Sequence, residues 1–229
     1  MLIPSRPLDR DEVYEFPENE FESLRAISQP QLLNAKLFTS REEYIKTLPS
    51  DMNYMEIGVA WGYYSDLVCK IVDPRKTTLL DPFTDDLRCW SWRKFGECKC
   101  TPKHEQLFGY HESEEWLRKE FSKYRNVHLL KGLAPETLPE NETFDYIYLD
   151  TDNDRYGVRN ILNAIESMVS VNGIIGINDY VLYDFTNADK AYGTPHAVHE
   201  FLYFNRNWSV DAIALHPVGF CDIYIRKNS

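Results

Sequence analysis

The chain has 229 residues, of which 43% are hydrophobic, so it fits one globular domain and is not a disordered protein. Its net charge of −11 at pH 7, without a run of lysine or arginine, argues against nucleic-acid binding. No apolar stretch approaches the length of a membrane span or of a signal-peptide core. Five cysteines are a low density, so we expect a reduced, cytoplasmic protein.

The first part of the chain predicts a helical arm ahead of the main domain. Residues 1–39 are polar, and short helices are expected at 20–27 and 30–37. This arm either covers an active site or serves as a packing or oligomer contact. Ser40 and Glu43 have the spacing of a capping box, which predicts that a further helix begins directly after Ser40.

Residues 53–72 predict a strand, a tight turn and a helix. The strand 53–57 leads into Gly58, Gly62 follows four positions later, and apolar residues recur at helical spacing over 63–72. Both glycines can take φ values that other residues avoid and can leave space for a ligand. The helix amino terminus would favour an anionic group. Two glycines at such a turn are more often just a tight turn.

A second strand that ends in an acid supports the ligand-binding interpretation. The apolar strand 76–81 ends in Asp81, 23 residues after Gly58. Nucleotide-binding α/β folds place an acid near this distance, where it accepts hydrogen bonds from ribose hydroxyls. The third glycine of a dinucleotide-binding turn is missing, since Trp61 and Tyr63 stand at the neighbouring positions.

The remaining chain alternates between strand and helix patterns. Helices are predicted at 112–124, after the polar loop 151–155 and at 195–205, and strands at 126–131, 144–150, 173–178, 208–215 and 220–226. The short joint between the last two strands predicts an antiparallel pair. The sequence therefore predicts an α/β fold, a three-layer Rossmann-like sandwich whose seven-stranded sheet is mostly parallel with an antiparallel C-terminal hairpin strand.

We expect a single domain over 1–229, organised as a helical arm at 1–50 and a Rossmann-like core at 51–229. A substrate-side insertion at 84–111 interrupts the core pattern, and connections of that length are often functional. Ligands of parallel sheets bind beyond the carboxyl ends of the strands. The residues expected to share that edge are Gly58, Asp81, Gly132, Asp150 and Asn178.

Three stretches carry a family resemblance. The first is Glu-x-Gly-x-x-x-Gly at 56–62, the second is Leu-Asp-Thr-Asp-Asn-Asp-Arg-Tyr-Gly-Val at 149–158, and the third is Gly-Ile-Ile-Gly-Ile-Asn-Asp-Tyr at 173–180. With these motifs the chain resembles class I S-adenosylmethionine (SAM) methyltransferases, most of all the macrocin O-methyltransferase-like or methyltransferase domain 24 branch. The resemblance covers about 54–226, except for 84–125.

The resemblance implies a SAM site at the predicted edge. The implied cofactor contacts are Gly58 and Gly62 at the methionine part, Ser65 at its carboxylate, Asp81 at the ribose, Gly132 and Leu133 at the adenine, Asp150 at the methionine amine, and Glu56, Tyr63, Pro82 and Phe83 beside them.

A Mg²⁺ site is also implied. Many relatives bind the ion through an acid after the fourth strand and a polar pair after the fifth, which here are Asp150 and Asn178 with Asp179. Oxygen ligands of this kind suit Mg²⁺. The family often has histidine where this chain has Asn153 and Asn178, and asparagine cannot act as a base.

The predicted catalytic residues are Asp150, Asp179 and His196. His199 is the alternative histidine, and either one could instead be a helix-surface or capping residue.

A cysteine-rich group lies in the insertion. Cys89, Cys98, Cys100 and His104 could bind zinc, although the one-residue gap between two of the cysteines departs from the usual spacing. Reduced loop cysteines are the alternative interpretation.

The leading hypothesis is a SAM-dependent methyltransferase that acts on a small molecule, most readily at a hydroxyl, with or without Mg²⁺. We expect no nucleic-acid or membrane partner, and homo-oligomers remain open. One rival is a non-catalytic SAM-binding protein, which the two absent histidines keep open. The other is an NAD-type Rossmann oxidoreductase. The missing third glycine and the reversed last strand argue against it.

Overall fold

The structure is a computed structural model that describes residues 26–83, 114–151, 153–182, 192–216 and 219–229. The helices are α1 (Gln29–Leu32), α2 (Arg41–Ile45), α3 (Tyr63–Val72), α4 (Glu114–Phe121), α5 (Arg155–Ile165) and α6 (Thr194–Phe204), and the strands are β1 (Lys36–Phe38), β2 (Asn53–Ile57), β3 (Lys76–Asp81), β4 (Val127–Lys131), β5 (Phe144–Leu149), β6 (Val169–Ile177), β7 (Trp208–Leu215) and β8 (Cys221–Lys227). None of these helices is long and apolar enough to cross a membrane.

One mixed sheet organises the molecule. Its strand order is β1-β7-β8-β6-β5-β2-β3-β4, and all pairs are parallel except those that β8 makes with β6 and β7. The predicted α/β class, the mostly parallel sheet and the antiparallel C-terminal hairpin are therefore confirmed. The sheet has eight strands rather than the seven predicted, because β1 adds an edge strand beside β7.

The eighth strand corrects the prediction for the arm. A helix was expected over 30–37, but α1 ends at Leu32 and the strand Lys36–Phe38 follows. Phe38 pairs with Ala214, so β1 takes its hydrogen bonds from the open edge of β7. Tertiary pairing of this kind overrides weak local propensity. The other helix predicted in the arm, at 20–27, lies almost wholly outside the described residues.

A second correction concerns the start of β6. The apolar spacing predicted that the helix after the loop 151–155 continues to Asn172 and that the strand begins at Gly173, but α5 ends at Ile165 and a single 3₁₀ turn follows. Val169 begins the strand and pairs with Phe144 of β5. Its side chain is 3% exposed. The spacing of apolar residues alone could not distinguish the end of a helix from the start of a buried strand here.

The two faces of the sheet bury different side chains. One side packs against α5 and α6 through aliphatic residues; we call it the aliphatic face and define it by Met55, Ile57, Ile147, Leu149, Ile175, Ile177, Ile223 and Ile225. The other side packs against α2, α3 and α4; we call it the tyrosine face and define it by Tyr54, Glu56, Tyr146, Tyr148, Gly176, Asp222 and Tyr224. Side chains alternate between faces along each strand, as strand geometry requires.

Candidate active site

The predicted ligand edge exists, because neighbouring strands end in register. The N–H of Asp150 donates to the carbonyl of Ile57 at 2.8 Å, and the N–H of Asn178 donates to that of Leu149 at 2.9 Å. On the other side of β2, the N–H of Gly58 donates to Leu80 at 2.9 Å. The Gly132 N–H likewise donates to the Asp81 carbonyl at 3.0 Å. All five residues expected at this edge lie there.

The two glycines of the turn are needed for the packing of the protein itself. Gly58 has φ +85°, and a Cβ added there would lie 1.7 Å from the carbonyl oxygen of Asp150. Gly62 has φ +70°, and its added Cβ would lie 2.6 Å from the ring of Phe121. The left-handed backbone that the sequence predicted is present. The space beside both glycines is filled by protein atoms.

Asp81 shapes the turn between β2 and α3. Its Oδ2 accepts hydrogen bonds from the N–H groups of Val59 and Ala60, at 2.8 and 3.0 Å. Its Oδ1 accepts from the N–H of Phe83 at 2.8 Å. A carboxylate can accept about four hydrogen bonds, so these three contacts leave capacity for a ribose hydroxyl. Asp81 is thus suited to bind the ligand and hold the loop around it.

Glu56 and Ser65 lie in the interior rather than at the edge. They are 2% and 0% exposed, and the Ser65 hydroxyl donates to the Glu56 carboxyl. Tyr54 donates to the same carboxyl at 2.8 Å. Burial raises the pKa of Glu56 to about 8, although both hydroxyl donors oppose the shift. We therefore leave Glu56 and Ser65 out of the proposed cofactor contacts, because their polar atoms bind each other.

Two exposed side chains flank the same edge. Tyr63 at the start of α3 is 65% exposed, and Leu133 after β4 is 62% exposed. Leu133 follows Gly132, so an apolar surface lies where the sequence predicts the adenine. Pro82 is partly buried and Phe83 is 3% exposed, which gives Phe83 a packing role in the loop after β3.

A hydrogen-bond chain at the ends of β5, β6 and β8 reaches Asp150. The side-chain N–H of Asn178 donates to Asp150 Oδ1 at 2.9 Å. Its amide oxygen accepts from Arg41 at 3.0 Å, and the Tyr148 hydroxyl oxygen lies 3.3 Å from it. Burial, together with the negative charge of Asp179, raises the pKa of Asp150 to about 7.

The positive charge of Arg41 is held by a buried acid. Its Nη2 lies 3.0 Å from Asp222 Oδ1, and Asp222 is 1% exposed. The hydroxyls of Tyr148 and Tyr224 donate to the other oxygen of Asp222, at 2.9 and 3.2 Å. Burial raises the pKa of Asp222 while Arg41 opposes the shift. The guanidinium also lies over the ring of Tyr64, 5.6 Å from its centroid.

The predicted Mg²⁺ ligands do not fit a metal ion. The amide oxygen of Asn178 faces the guanidinium of Arg41, and its nitrogen faces Asp150. Asp179 accepts from the side chain of Asn153 at 3.2 Å. In the described part of the chain, no group of three or more histidine, cysteine, aspartate or glutamate side chains could hold a metal. We derive no step through a metal.

One histidine of α6 forms a hydroxyl–imidazole pair with a tyrosine. His199 Nε2 lies 2.5 Å from the hydroxyl of Tyr180, which follows the end of β6. Burial raises the pKa of Tyr180 to about 12. His196 lies one helical turn earlier, and both histidines are partly buried. The role predicted for His196 could equally belong to His199.

Three residues of the site were not predicted: Arg41, Tyr148 and Asp222. Arg41 could not be found locally, because its partners lie 137 and 181 positions away. Asp222 offered a signal, since an acid directly before the apolar run 223–225 of a buried strand needs a buried partner. The zinc alternative at Cys89, Cys98, Cys100 and His104 lies outside the described residues.

The fold and the edge together define a class I SAM-dependent methyltransferase. The sequence profile of the family described as "Methyltransferase domain" (Methyltransf_24) matches residues 55–180, more than half of the chain. The chain therefore belongs to this family, as the motifs predicted. No curated protein sequence matches it significantly.

Solved structures share the fold at low identity. The O-methyltransferase NovP is 19% identical with a TM-score of 0.53, over 82% of this chain and 80% of its own. The O-methyltransferase TomG from Streptomyces achromogenes, in complex with SAM, is 13% identical with a TM-score of 0.52, over 90% and 82%. The N-methyltransferase NodS from Bradyrhizobium japonicum, in complex with S-adenosylhomocysteine, is 10% identical with a TM-score of 0.55, over 82% and 86%. At these identities the likeness concerns the fold alone.

Proposed function

We propose that the protein transfers the methyl group of SAM to a hydroxyl of a small molecule. The observation that carries this proposal is the convergence at one sheet edge of the Gly58 turn, Asp81, Leu133 and Asp150. When bound, SAM supplies an electrophilic methyl group on a positively charged sulfur. The protein's part is to hold that group in line with the acceptor oxygen.

The proposed cofactor contacts divide between the strand ends. Asp81 accepts from the ribose through its remaining capacity, while Leu133 packs on the adenine. Asp150, partly buried and held by Asn178, faces the cationic methionine amine, for which a carboxylate is the natural partner. Tyr63, exposed at the start of α3, is a further proposed contact.

A hydroxyl acceptor is favoured by the pair of Tyr180 and His199. During transfer the acceptor oxygen gains the methyl group and loses its proton, so a nearby base is required. His199, at 2.5 Å from Tyr180, is the proposed proton acceptor, directly or through the tyrosine hydroxyl. His196 on the same helix is the alternative. An amine acceptor would need no such group if it arrives unprotonated.

Calorimetric titration with SAM and with NAD⁺ tests the cofactor. SAM should bind and NAD⁺ should not, and Asp81→Ala should weaken SAM binding about ten- to a hundredfold, since a charged hydrogen bond is lost. Binding of NAD⁺ instead would favour the oxidoreductase alternative.

Formation of S-adenosylhomocysteine with paired hydroxylated and aminated small molecules tests the reaction. The wild type should turn over hydroxylated compounds, and the rate should fall in His199→Gln. His196→Gln is tested in parallel. SAM binding without turnover on any compound would favour the non-catalytic alternative.

A further inference from the structure

Arg41 stands where the family resemblance predicts a divalent cation. Its Nη2 lies 3.0 Å from the amide oxygen of Asn178, one of the three predicted metal ligands. The nitrogen of the same amide lies 2.9 Å from Asp150, the second predicted ligand. One amide group therefore separates a fixed positive charge from the carboxylate that a metal would need.

The orientation of Asn178 is set by its neighbours on both sides. Arg41 donates to the amide oxygen, so a metal on that oxygen would lie beside the guanidinium. The carboxylate of Asp150 accepts from the amide nitrogen, which a cation cannot bind. Turning the amide over would place its N–H groups against a guanidinium and its oxygen against a carboxylate. The network therefore selects the orientation that offers a metal no ligand.

A buried ion pair holds the guanidinium of Arg41 beside Asn178. Asp222, buried to 1% exposure, binds the same Nη2 at 3.0 Å and is itself fixed by two tyrosine hydroxyls. The side chain of Arg41 is 21% exposed, so its charge is only partly screened by water. A divalent ion at Asp150 and Asp179 would meet this charge at short range in a poorly solvated place.

We propose that Arg41 takes the place of a divalent cation at this edge, keeps Mg²⁺ away from Asp150, Asn178 and Asp179, and makes methyl transfer by this protein independent of metal. Arg41 is a positioning residue that acts through Asn178. The inference rests on the proposed function only in assigning this edge to methyl transfer, and the exclusion of metal is measurable without SAM or an acceptor.

Mn²⁺ binding, followed by the electron paramagnetic resonance signal of the free ion, tests the proposal. The full chain should show no saturable Mn²⁺ site. Arg41→Met with Asp222→Asn removes both charges of the buried pair, frees the Asn178 oxygen and leaves no unpaired buried ion. This double variant should gain a saturable Mn²⁺ site, with an affinity at least about tenfold above the weakest binding that the measurement detects.

Two further variants identify the site and the cause. Adding Asp179→Asn to the double variant should remove the gained Mn²⁺ binding. Arg41→Lys keeps the positive charge and should bind no more Mn²⁺ than the wild type. A folded double variant, checked by circular dichroism, that gains no Mn²⁺ site would overturn the proposal. So would a wild-type Mn²⁺ site that disappears in Asp179→Asn.

The result is separable from the proposed function. If SAM fails to bind in calorimetry, the methyltransferase proposal fails while the Mn²⁺ comparison still reports on Arg41. Once an acceptor is known, wild-type turnover should be unchanged by EDTA. Loss of turnover on chelation and recovery with Mg²⁺ would overturn the inference about Arg41 and leave methyl transfer intact.

Discussion

The aliphatic face and the tyrosine face belong to the same strands, yet they are stabilised by different interactions. On the aliphatic face Ile147 and Ile175 meet the apolar side of α5, and dispersion and burial provide the stability. On the tyrosine face the rings of Tyr64 and Tyr148 stack with centroids 3.5 Å apart. The Tyr64 hydroxyl also forms a short hydrogen bond with that of Tyr146.

The difference shows where the geometry of the site is determined. Apolar packing tolerates small shifts, but a buried hydrogen-bond network fixes the positions of its members and is costly when one partner is lost. The tyrosine face connects α3, which begins at the proposed cofactor turn, to Asp222 and Arg41 at the strand ends. We expect substitutions on the aliphatic face to change stability alone, and those on the tyrosine face to change ligand binding as well.

The largest effect is expected for Asp222→Ala. It leaves Arg41 as an unpaired, mostly buried charge and removes the acceptor of the Tyr148 and Tyr224 hydroxyls. Breaking a buried ion pair costs about 3–5 kcal/mol. Urea unfolding measures this loss, and SAM titration should show weaker binding. Glu42→Ala, which breaks the exposed ion pair with Lys46, should leave the urea midpoint unchanged.

Leu162→Ala tests the aliphatic face. Leu162 is 0% exposed on the inner side of α5, so truncation should leave a cavity and lower the free energy of unfolding by about 3 kcal/mol. The SAM dissociation constant should not change. Asn163→Ala, at the exposed neighbouring position, is the control. A large loss of SAM affinity in Leu162→Ala would mean that the faces do not differ as described.

Gly176→Ala should have a smaller effect. An added Cβ would approach Tyr148, Tyr146 and Tyr224 at 2.8, 2.9 and 2.9 Å, so three ordered rings would have to move. Overpacking of this kind costs about 1–3 kcal/mol. Thermal or urea unfolding measures it against Val171→Ala, an exposed position on the same strand. Equal stability of the two variants would show that the tyrosine layer is loosely packed.

The most gradual effect is a dependence of stability on pH through Glu56. Its folded pKa of about 8 lies above the ordinary value of 4.5, because the carboxyl is buried. Between these values the folded state keeps a proton that the unfolded chain releases. Stability from this group is therefore complete below pH 4.5 and falls by about 1.4 kcal/mol per pH unit up to about pH 8. In Glu56→Gln this part of the slope should disappear, and an unchanged slope would contradict the assignment.

Much of this fold could be predicted because its determinants are local. The bounds of α3 match the predicted 63–72, and β5 lies within the predicted 144–150. Because parallel strands end at the same edge of a sheet, Asp81 and Asp150 could be placed on one edge without knowing any side-chain contact. The expectation that Gly58 can take a φ value that other residues avoid agrees with its φ of +85°.

The rest depended on contacts between distant parts of the chain. Arg41 decides whether Asn178 binds a metal or a guanidinium. Arg41 lies 137 positions away in the sequence, so no local pattern predicts this contact. The strand Lys36–Phe38 likewise exists because β7 offers an open edge. Continuous apolar runs indicated buried strands, but tyrosine counts as apolar in such patterns. The hydrogen-bonded character of the tyrosine face was therefore not visible.

The pairing of β1 with β7 has a consequence for the order in which the chain can assemble during synthesis. β1 and α2 leave the ribosome long before β7 and Asp222, with which they pair. Until β7 and Asp222 have been made, Arg41 has no acid to bind and the arm has no strand to join. Contacts of such long sequence separation form late. We expect β1 and α2 to dock late, so the active-site edge would be finished only after β7 and β8 have been synthesised.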